Sequence, residues 1–263
     1  MRATLVVPTL NESASIGQVI RVFRMSADEA NRTIFRADPL EWEILVVDGA
    51  STDGTGALAA AEGARVIVER RRGYGRAYKT GFAEAKGEVI ATSDGDATYP
   101  VATVPAFVRR LLDEKIDFIT GDRIAGVTRR SMTTEHRIGN WVLNLMLRVL
   151  YHRFLKQLPG GTIADSQSGF WVFRREVLDR VHLSQDGMSF SEELKVEAAL
   201  RGLRFVELPI EYGERSGPPK LQSWRDGIRN MLFLLEKRLA VARESRQGPP
   251  TPFSRGLGPG PAP

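Results

Sequence analysis

The 263-residue chain contains no cysteine, three histidines and no apolar run long enough to cross a bilayer. The lack of cysteine excludes disulfide bonds and thiolate metal sites. A spanning helix needs about twenty apolar residues, so the sequence does not predict an integral membrane protein. His136, His152 and His182 have no acidic partner at a paired spacing, and no Ser-His-Asp or Cys-His set is visible. The pattern therefore does not indicate nucleophilic catalysis of that kind.

Two further absences narrow the class of protein. No basic segment followed by an apolar core precedes the first strand pattern, so we expect a cytoplasmic location. The net charge of +5 is moderate, and basic residues cluster at Arg70–Arg72 and Arg129–Arg130 without interleaved aromatic residues. Such clusters favour anionic phosphates or an anionic membrane surface over nucleic acid. Gly73-Tyr74-Gly75 does not match the dinucleotide-binding glycine spacing after a first strand.

Short apolar runs alternate with helical patterns in the first half of the chain. The runs are Ala3–Pro8, Trp42–Asp48, Ala64–Val68 and Glu88–Thr92, and the helical patterns begin near Ile16, Gly56 and Arg76. This alternation predicts an α/β fold with a mostly parallel, Rossmann-like sheet flanked by helices. Ligands of such sheets bind beyond the carboxyl ends of the strands.

Asp94-Gly95-Asp96 follows the last of these runs and carries two carboxylates one residue apart. At a strand end both side chains point the same way, and their mutual repulsion is relieved by a divalent cation or by solvent. Mg²⁺ or Mn²⁺ keeps such a site partly open for phosphate oxygens. The pattern therefore indicates either a metal-bridged nucleoside diphosphate or a solvated Asp-Gly turn.

Three ordered motifs resemble those of the family 2 glycosyltransferases with the GT-A fold: Val6–Glu12, Val46–Thr55 and Asp94–Pro100. The likeness runs from about Arg2 to Leu221, and within the family the chain is most similar to dolichol-phosphate mannose or glucose synthases. The resemblance implies that Asp94 and Asp96 bind the metal. It also implies a nucleotide site formed by Pro8, Leu10, Asn11, Glu12, Asp48, Asp94 and Gly95.

The chain departs from the family pattern at two positions. Gly49 replaces the more usual second aspartate after Asp48, which leaves the first aspartate in place. Thr98 stands where the mannosyl synthases typically carry a glutamine near the metal. The resemblance therefore does not fix the donor sugar.

The resemblance implies that residues in the second half of the chain form the site for the acceptor. Asp165–Phe170 resembles a family segment whose aspartate lies near the acceptor, although by itself it reads as a capped turn. The resemblance implies a catalytic role for Asp165 and for Asp96. Arg123, Gln167 and one of Glu192 and Glu193 are expected to contact acceptor or sugar, while the two glutamates alone fit a helix start.

The loop after a predicted edge strand, Phe205–Tyr212, carries Arg215 and Lys220. The family shows a similar loop there, although Pro219 replaces its serine. Two cations on such a loop suit a diphosphate leaving group or an acceptor phosphate, so we expect a catalytic role for both. A solvated basic loop is the alternative.

Two segments read as amphipathic helices, about residues 137–152 and residues 223–245. Each has a broad apolar face that fits either core packing or a membrane interface, where Trp141 and Tyr151 suit an anchoring role. The first lies within a predicted catalytic domain of residues 1–222. Residues 246–263, rich in Pro and Gly, are expected to be a disordered tail.

Together these features predict metal-dependent, inverting transfer of a hexose from UDP-glucose or GDP-mannose to a polyprenyl or dolichyl phosphate. The enzyme is expected at the cytoplasmic face of the membrane, with Mg²⁺ or Mn²⁺ as cofactor and no nucleic-acid partner. Transfer to a soluble acceptor and a noncatalytic nucleotide-binding module are the alternatives. The sequence does not fix the oligomeric state.

Overall fold

The computed structural model describes residues 1–125, 134–158, 160–213 and 223–247. The strands are β1 (Arg2–Thr9), β2 (Glu41–Asp48), β3 (Arg65–Val68), β4 (Val89–Thr92), β5 (Phe118–Asp122), β6 (Trp171–Arg174) and β7 (Phe205–Pro209). The helices are α1 (Ile16–Thr33), α2 (Thr55–Ala61), α3 (Tyr74–Glu84), α4 (Val104–Asp113), α5 (Thr134–Leu155), α6 (Phe190–Leu200) and α7 (Ser223–Gln247). Two short 3₁₀ helices, Val101–Thr103 and Arg175–Asp179, precede α4 and follow β6.

The strands form one sheet in the order β3-β2-β1-β4-β6-β5-β7. Neighbouring strands are parallel except at β6, which is antiparallel to β4 and β5. The predicted mostly parallel α/β sheet is thus confirmed. The predicted edge position of the Pro209 strand is confirmed too, since β7 ends the sheet. Proline has no N–H to donate to a further strand, which suits an edge.

Helices cover both faces of the sheet. Side chains along a strand point alternately to opposite faces, so Leu5 and Val7 enter one core layer and Val6 enters the other. The first layer lies under α1, α2 and α4, and the second under α3, α5, α6 and α7. The result is a three-layer arrangement with the loops after β1, β2 and β4 on one edge.

Aromatic rings lock α3 and α6 against the sheet near that edge. The Tyr78 ring stacks on Phe190, with a centroid separation of 5.9 Å and an interplanar angle of 7°. Trp171 of β6 lies 4.9 Å from the same tyrosine ring. Aromatic pairs at such distances add about 0.5–1.5 kcal/mol beyond the area they bury. The start of α3 and the start of α6 therefore hold fixed positions beside the strand ends.

The two predicted amphipathic helices pack against each other as α5 and α7. Tyr151 donates a hydrogen bond to the Leu234 carbonyl over 2.9 Å, and Arg238 donates one to the Leu150 carbonyl over 2.9 Å. The interpretation of Tyr151 as a membrane anchor is wrong, because its side chain is only 1% exposed. Within the described ranges, no helix has the length and apolar content needed to cross a membrane. Residues 248–263 of the predicted tail lie outside those ranges.

Gly81 shows how closely α3 approaches the sheet. A Cβ atom there would lie 2.4 Å from Val6 Cγ1 and 3.1 Å from Val47 Cγ2. Gly81→Ala should lower the free energy of unfolding by about 1–3 kcal/mol, because a buried strand must shift. Gly139→Ala on α5, where a Cβ meets nothing within 4 Å, is the control and should be neutral or slightly stabilising. Equal denaturant midpoints for both variants would contradict the close α3 packing.

Candidate active site

A cavity of about 350 Å³ lies beyond the carboxyl ends of the central strands. Such an edge is where open α/β sheets bind their ligands. The structure brings together there eight residues singled out from the sequence: Pro8, Leu10, Glu12, Asp94, Gly95, Asp96, Arg123 and Gln167. They come from the ends of β1, β4 and β5 and from the loop before β6.

Asp94 and Asp96 follow β4 and both line the cavity. One Asp94 oxygen accepts a hydrogen bond from the Tyr78 hydroxyl over 3.3 Å. Asp96 is 4% exposed, and its Oδ1 accepts hydrogen bonds from the amide and hydroxyl of Thr98 over 3.1 and 2.7 Å. Thr98, where the sequence departs from the family pattern, therefore orients the second carboxylate.

The carboxylate pair suits a hard divalent cation such as Mg²⁺ or Mn²⁺, which prefers oxygen ligands. In the described part of the chain no group of three or more His, Cys, Asp and Glu side chains is arranged to hold a metal ion. Water or a bound phosphate would be able to supply further oxygen ligands to a cation at Asp94 and Asp96. The adjoining cavity provides the space for such ligands.

Asp48 and Asn11 hold the loop after β2 rather than lining the cavity. Asp48 is 6% exposed, and its Oδ1 accepts a hydrogen bond from the Ser51 amide over 3.1 Å. Asn11 Oδ1 accepts one from the Thr52 amide over 2.9 Å. Gly49, between these anchors, does line the cavity. The predicted direct contact of Asp48 with nucleotide remains a prediction.

The basic run after β3 also reaches the cavity, which the sequence interpretation did not place there. Arg71 donates two side-chain hydrogen bonds to Glu69, over 2.9 and 2.7 Å, and this lowers the pKa of Glu69 to about 2. Arg72 lines the cavity and forms no ion pair with any described residue. This position could have been predicted from the sequence, because the basic run follows a parallel strand, β3, whose carboxyl end lies at the same edge of the sheet. Tyr74, Tyr99, Met188 and Tyr212 also line the cavity.

Asp165 and Arg123 form a buried ion pair below the cavity. Arg123 Nε and Nη2 donate to the two Asp165 oxygens over 2.7 and 2.8 Å, and the Asp165 side chain is 1% exposed. Burial raises the pKa of Asp165, but the Arg123 guanidinium outweighs it and lowers the pKa to about 2. The same guanidinium lies 5.3 Å from the Tyr212 ring centroid. Asp165 thus holds Arg123, which lines the cavity.

The structure separates Glu192 from Glu193, between which the sequence could not choose. Glu193 accepts hydrogen bonds from the amides of Ser184 and Gln185 over 2.9 and 2.8 Å and so fixes the loop before α6. Both Glu192 oxygens are buried and have no hydrogen-bond partner among the described residues. Burial raises the pKa of Glu192 to about 8, although Lys195 opposes this. Glu192 is therefore largely protonated near neutral pH.

Arg215 and Lys220 lie in residues 214–222, outside the described ranges. Their predicted contacts with phosphate therefore remain predictions.

Glu192 gives a stability prediction with a definite sign. Its folded-state pKa, about 8, is raised above the ordinary value of 4.5, so its stabilising contribution is complete below pH 4.5 and is lost as pH rises to 8. Glu192→Gln has no proton to lose. Between pH 4.5 and pH 8, the free energy of unfolding of Glu192→Gln minus that of wild type should therefore rise by about 1.4 kcal/mol for each pH unit. Urea unfolding at a series of pH values measures the difference.

Glu211→Gln is the matched control, because Glu211 is exposed. Its difference from wild type should stay flat over the same pH range. A pH-independent difference for Glu192→Gln would contradict a protonated Glu192 in the folded protein.

Comparisons with known proteins agree with this geometry. A family model described as glycosyl transferase family 2 matches residues 4–181. A dolichyl-phosphate hexose transferase of Haloferax volcanii is 33% identical over 85% of this chain and 88% of its own length. A polyprenol monophosphomannose synthase of Mycolicibacterium smegmatis is 30% identical over 88% of this chain and 84% of its own.

A third relative is longer, and a solved structure shares the fold. The low-salt glycan biosynthesis hexosyltransferase Agl6 of Haloferax volcanii is 33% identical over 88% of this chain, which spans about half (52%) of that protein. Glucosyl-3-phosphoglycerate synthase of Mycobacterium tuberculosis superposes with a TM-score of 0.67 at 24% identity, over 91% of this chain and 80% of that one. The latter structure contains Mn²⁺ and UDP. The chain has the GT-A fold and belongs to glycosyltransferase family 2.

Proposed function

We propose that this glycosyltransferase moves a hexose from a nucleotide sugar, UDP-glucose or GDP-mannose, to a polyprenyl or dolichyl phosphate. The observation that carries the proposal is the cavity of about 350 Å³ that Asp94, Asp96 and Arg72 all line. A pair of carboxylates, and a cation that has no ion-pair partner in the described part of the chain, suit a diphosphate and the divalent ion that accompanies it. The names of two relatives at 30–33% identity support the lipid phosphate acceptor.

The donor occupies the cavity wall built by the first strands. Pro8, Leu10 and Glu12 line one side, and Gly95 allows close approach beside the carboxylates. Asp48 and Asn11 keep the loop after β2 in place through Ser51 and Thr52. Asp94 and Asp96 would hold Mg²⁺ or Mn²⁺, which when bound neutralises charge on the departing diphosphate.

The reaction forms a bond between an acceptor phosphate oxygen and C1 of the sugar, with inversion at C1. The bond from C1 to the diphosphate oxygen breaks, and the nucleoside diphosphate leaves with the electron pair. A phosphate monoester is already anionic near neutral pH, so the attack needs positioning more than a general base. Arg72 supplies positive charge at the cavity, whereas the charge of Arg123 is paired with Asp165, and Arg215 and Lys220 are proposed to add positive charge.

The outer faces of α5 and α7 fit a membrane surface. Three large apolar side chains of α5 are exposed at a spacing of four residues, and four of α7 form a second stripe. They are Trp141, Leu145 and Val149 on α5, and Ile228, Leu232, Leu235 and Leu239 on α7. Exposed apolar stripes beside basic side chains are typical of helices that lie in the membrane interface. We propose peripheral attachment at the cytoplasmic face, where the acceptor phosphate would be met.

Asp96→Ala should reduce transfer about 100-fold or more, because a misplaced metal forfeits several kcal/mol of transition-state stabilisation. The measurement is transfer of label from UDP-glucose or GDP-mannose to a short polyprenyl phosphate with Mn²⁺ supplied. Asp113→Ala, at an exposed position ending α4, is the control and should keep wild-type activity. A near wild-type rate for the Asp96 variant would contradict the proposal that Asp96 holds the metal ion.

Trp141→Glu combined with Leu235→Glu should reduce cosedimentation with anionic liposomes at low salt, because apolar burial and charge attraction are both lost. Met25→Glu with Leu58→Glu changes equally exposed apolar residues on α1 and α2 and should leave binding unchanged. Wild-type protein that stays in the supernatant would refute the membrane surface and favour a soluble acceptor.

A further inference from the structure

We propose that a cleft beside the C-terminal end of α5 binds the headgroup phosphate of an anionic membrane phospholipid. This α5 cleft has a volume of about 240 Å³ and is lined by Arg148, His152, Leu155, Gly161 and Thr162. None of these five residues lines the donor cavity. Sites for whole small molecules typically measure about 300–1,000 Å³, so the cleft suits a single headgroup. The identification of the phosphate as part of a lipid rests on the peripheral attachment proposed above.

The α5 cleft lies in a positively charged segment. Arg148 and His152 are exposed, and neither side chain makes an ion pair or a hydrogen bond with another described residue. Residues 136–164 include four Arg or Lys and no Asp or Glu. The next acidic residue along the chain, Asp165, is paired with Arg123. No carboxylate of this segment therefore neutralises the cleft, and a guanidinium matches phosphate oxygens through charge-assisted hydrogen bonds.

The far wall of the cleft is fastened to α5. Asn144 is 6% exposed, donates a hydrogen bond to the Ala164 carbonyl over 2.6 Å and accepts one from the Ser166 amide over 3.1 Å. These bonds hold the returning chain along α5, and Thr162 of that chain lines the cleft. The Thr162 hydroxyl makes only a long bond of 3.4 Å to the Ile163 carbonyl, so it can also donate to a phosphate oxygen. A wall that is already in place lowers the entropic cost of binding.

The position of the cleft on α5 favours a lipid over a free phosphate. Arg148 follows Leu145 by three residues and lies next to Val149, and both apolar side chains belong to the exposed stripe of α5. Residues three or four apart share one face of a helix. Tyr151 departs from helical dihedral angles, yet His152 lines the same cleft as Arg148. The apolar stripe therefore ends in two basic side chains, as expected where a helix meets both acyl chains and anionic headgroups.

The test is a nuclear magnetic resonance titration of the full chain, labelled with nitrogen-15 only in its three histidines. The probe is dihexanoyl phosphatidylglycerol, kept below the concentration at which it forms micelles. The ring signal that is lost in His152→Gln identifies the His152 imidazole. This signal should shift saturably with the probe. Dihexanoyl phosphatidylcholine should shift it little, because its own choline neutralises its phosphate. A His152 signal that does not respond to phosphatidylglycerol would overturn the headgroup site.

Two arginines of α5 give a matched pair of variants. Arg148→Gln should weaken binding of the probe about tenfold, because charge-assisted hydrogen bonds to the phosphate are lost. Arg153→Gln is the control, since Arg153 is exposed on the same helix and does not line the cleft. Each variant removes one positive charge, so diffuse attraction alone would weaken equally in both. Equal dissociation constants for the two variants would therefore overturn the site.

Inorganic phosphate distinguishes a lipid headgroup from a free anion. It should bind at the His152 signal about tenfold more weakly than phosphatidylglycerol, because it gains nothing from the apolar stripe. Equal affinities would overturn the assignment to a lipid.

Cosedimentation with vesicles of equal parts phosphatidylcholine and phosphatidylglycerol should fall more in Arg148→Gln than in Arg153→Gln, and the reverse order would contradict the site. The titration uses neither vesicles nor a nucleotide sugar. Wild-type protein that fails to bind vesicles, or to transfer hexose, would therefore count against the proposed function alone.

Discussion

The buried pair of Arg123 and Asp165 is the interaction on which the loop between α5 and β6 depends. It joins the end of β5 to the loop before β6, and Lys195 adds a hydrogen bond to the Asp165 carbonyl. Glu207 of β7 accepts hydrogen bonds from the amides of Ala164 and Asp165. Removing one partner from such a network leaves an uncompensated charge, which typically costs about 3–5 kcal/mol. The loop that carries Gln167 is therefore held by charge satisfaction as well as by packing.

The burial of ionisable groups near the site lowers the free energy of unfolding of the protein. Glu192 is held protonated, and burial lowers the pKa of Lys195 to about 8. Both groups lie on α6, one turn apart, behind the cavity wall. A hydrophobic residue at either position would avoid the desolvation cost. Stability given up at a functional site is a common trade, and two buried ionisable groups on one helix fit that pattern.

The sequence predicted which loops meet at one edge of the sheet better than it predicted the burial of each side chain. The apolar runs before Asp48 and before Asp94 were enough to predict that their loops lie at one edge, because parallel strands end together. Burial was harder to foresee. Tyr151 and Trp141 look equivalent on a helical pattern, yet the α7 contact buries one and leaves the other 64% exposed. Likewise adjacent Glu192 and Glu193 diverge because only Glu193 meets the Ser184 and Gln185 amides.

The central claim is that the cavity at Asp94 and Asp96 serves transfer of a hexose to a lipid phosphate. The most direct measurement is incubation of the full chain with radiolabelled UDP-glucose or GDP-mannose, a short polyprenyl phosphate and Mn²⁺, followed by solvent extraction. The account predicts label in the lipid phase as an inverted glycosyl phosphate, dependent on both the metal and Asp96. Label that appears only in a water-soluble product, or equal lipid labelling after chelation of the metal, would contradict it.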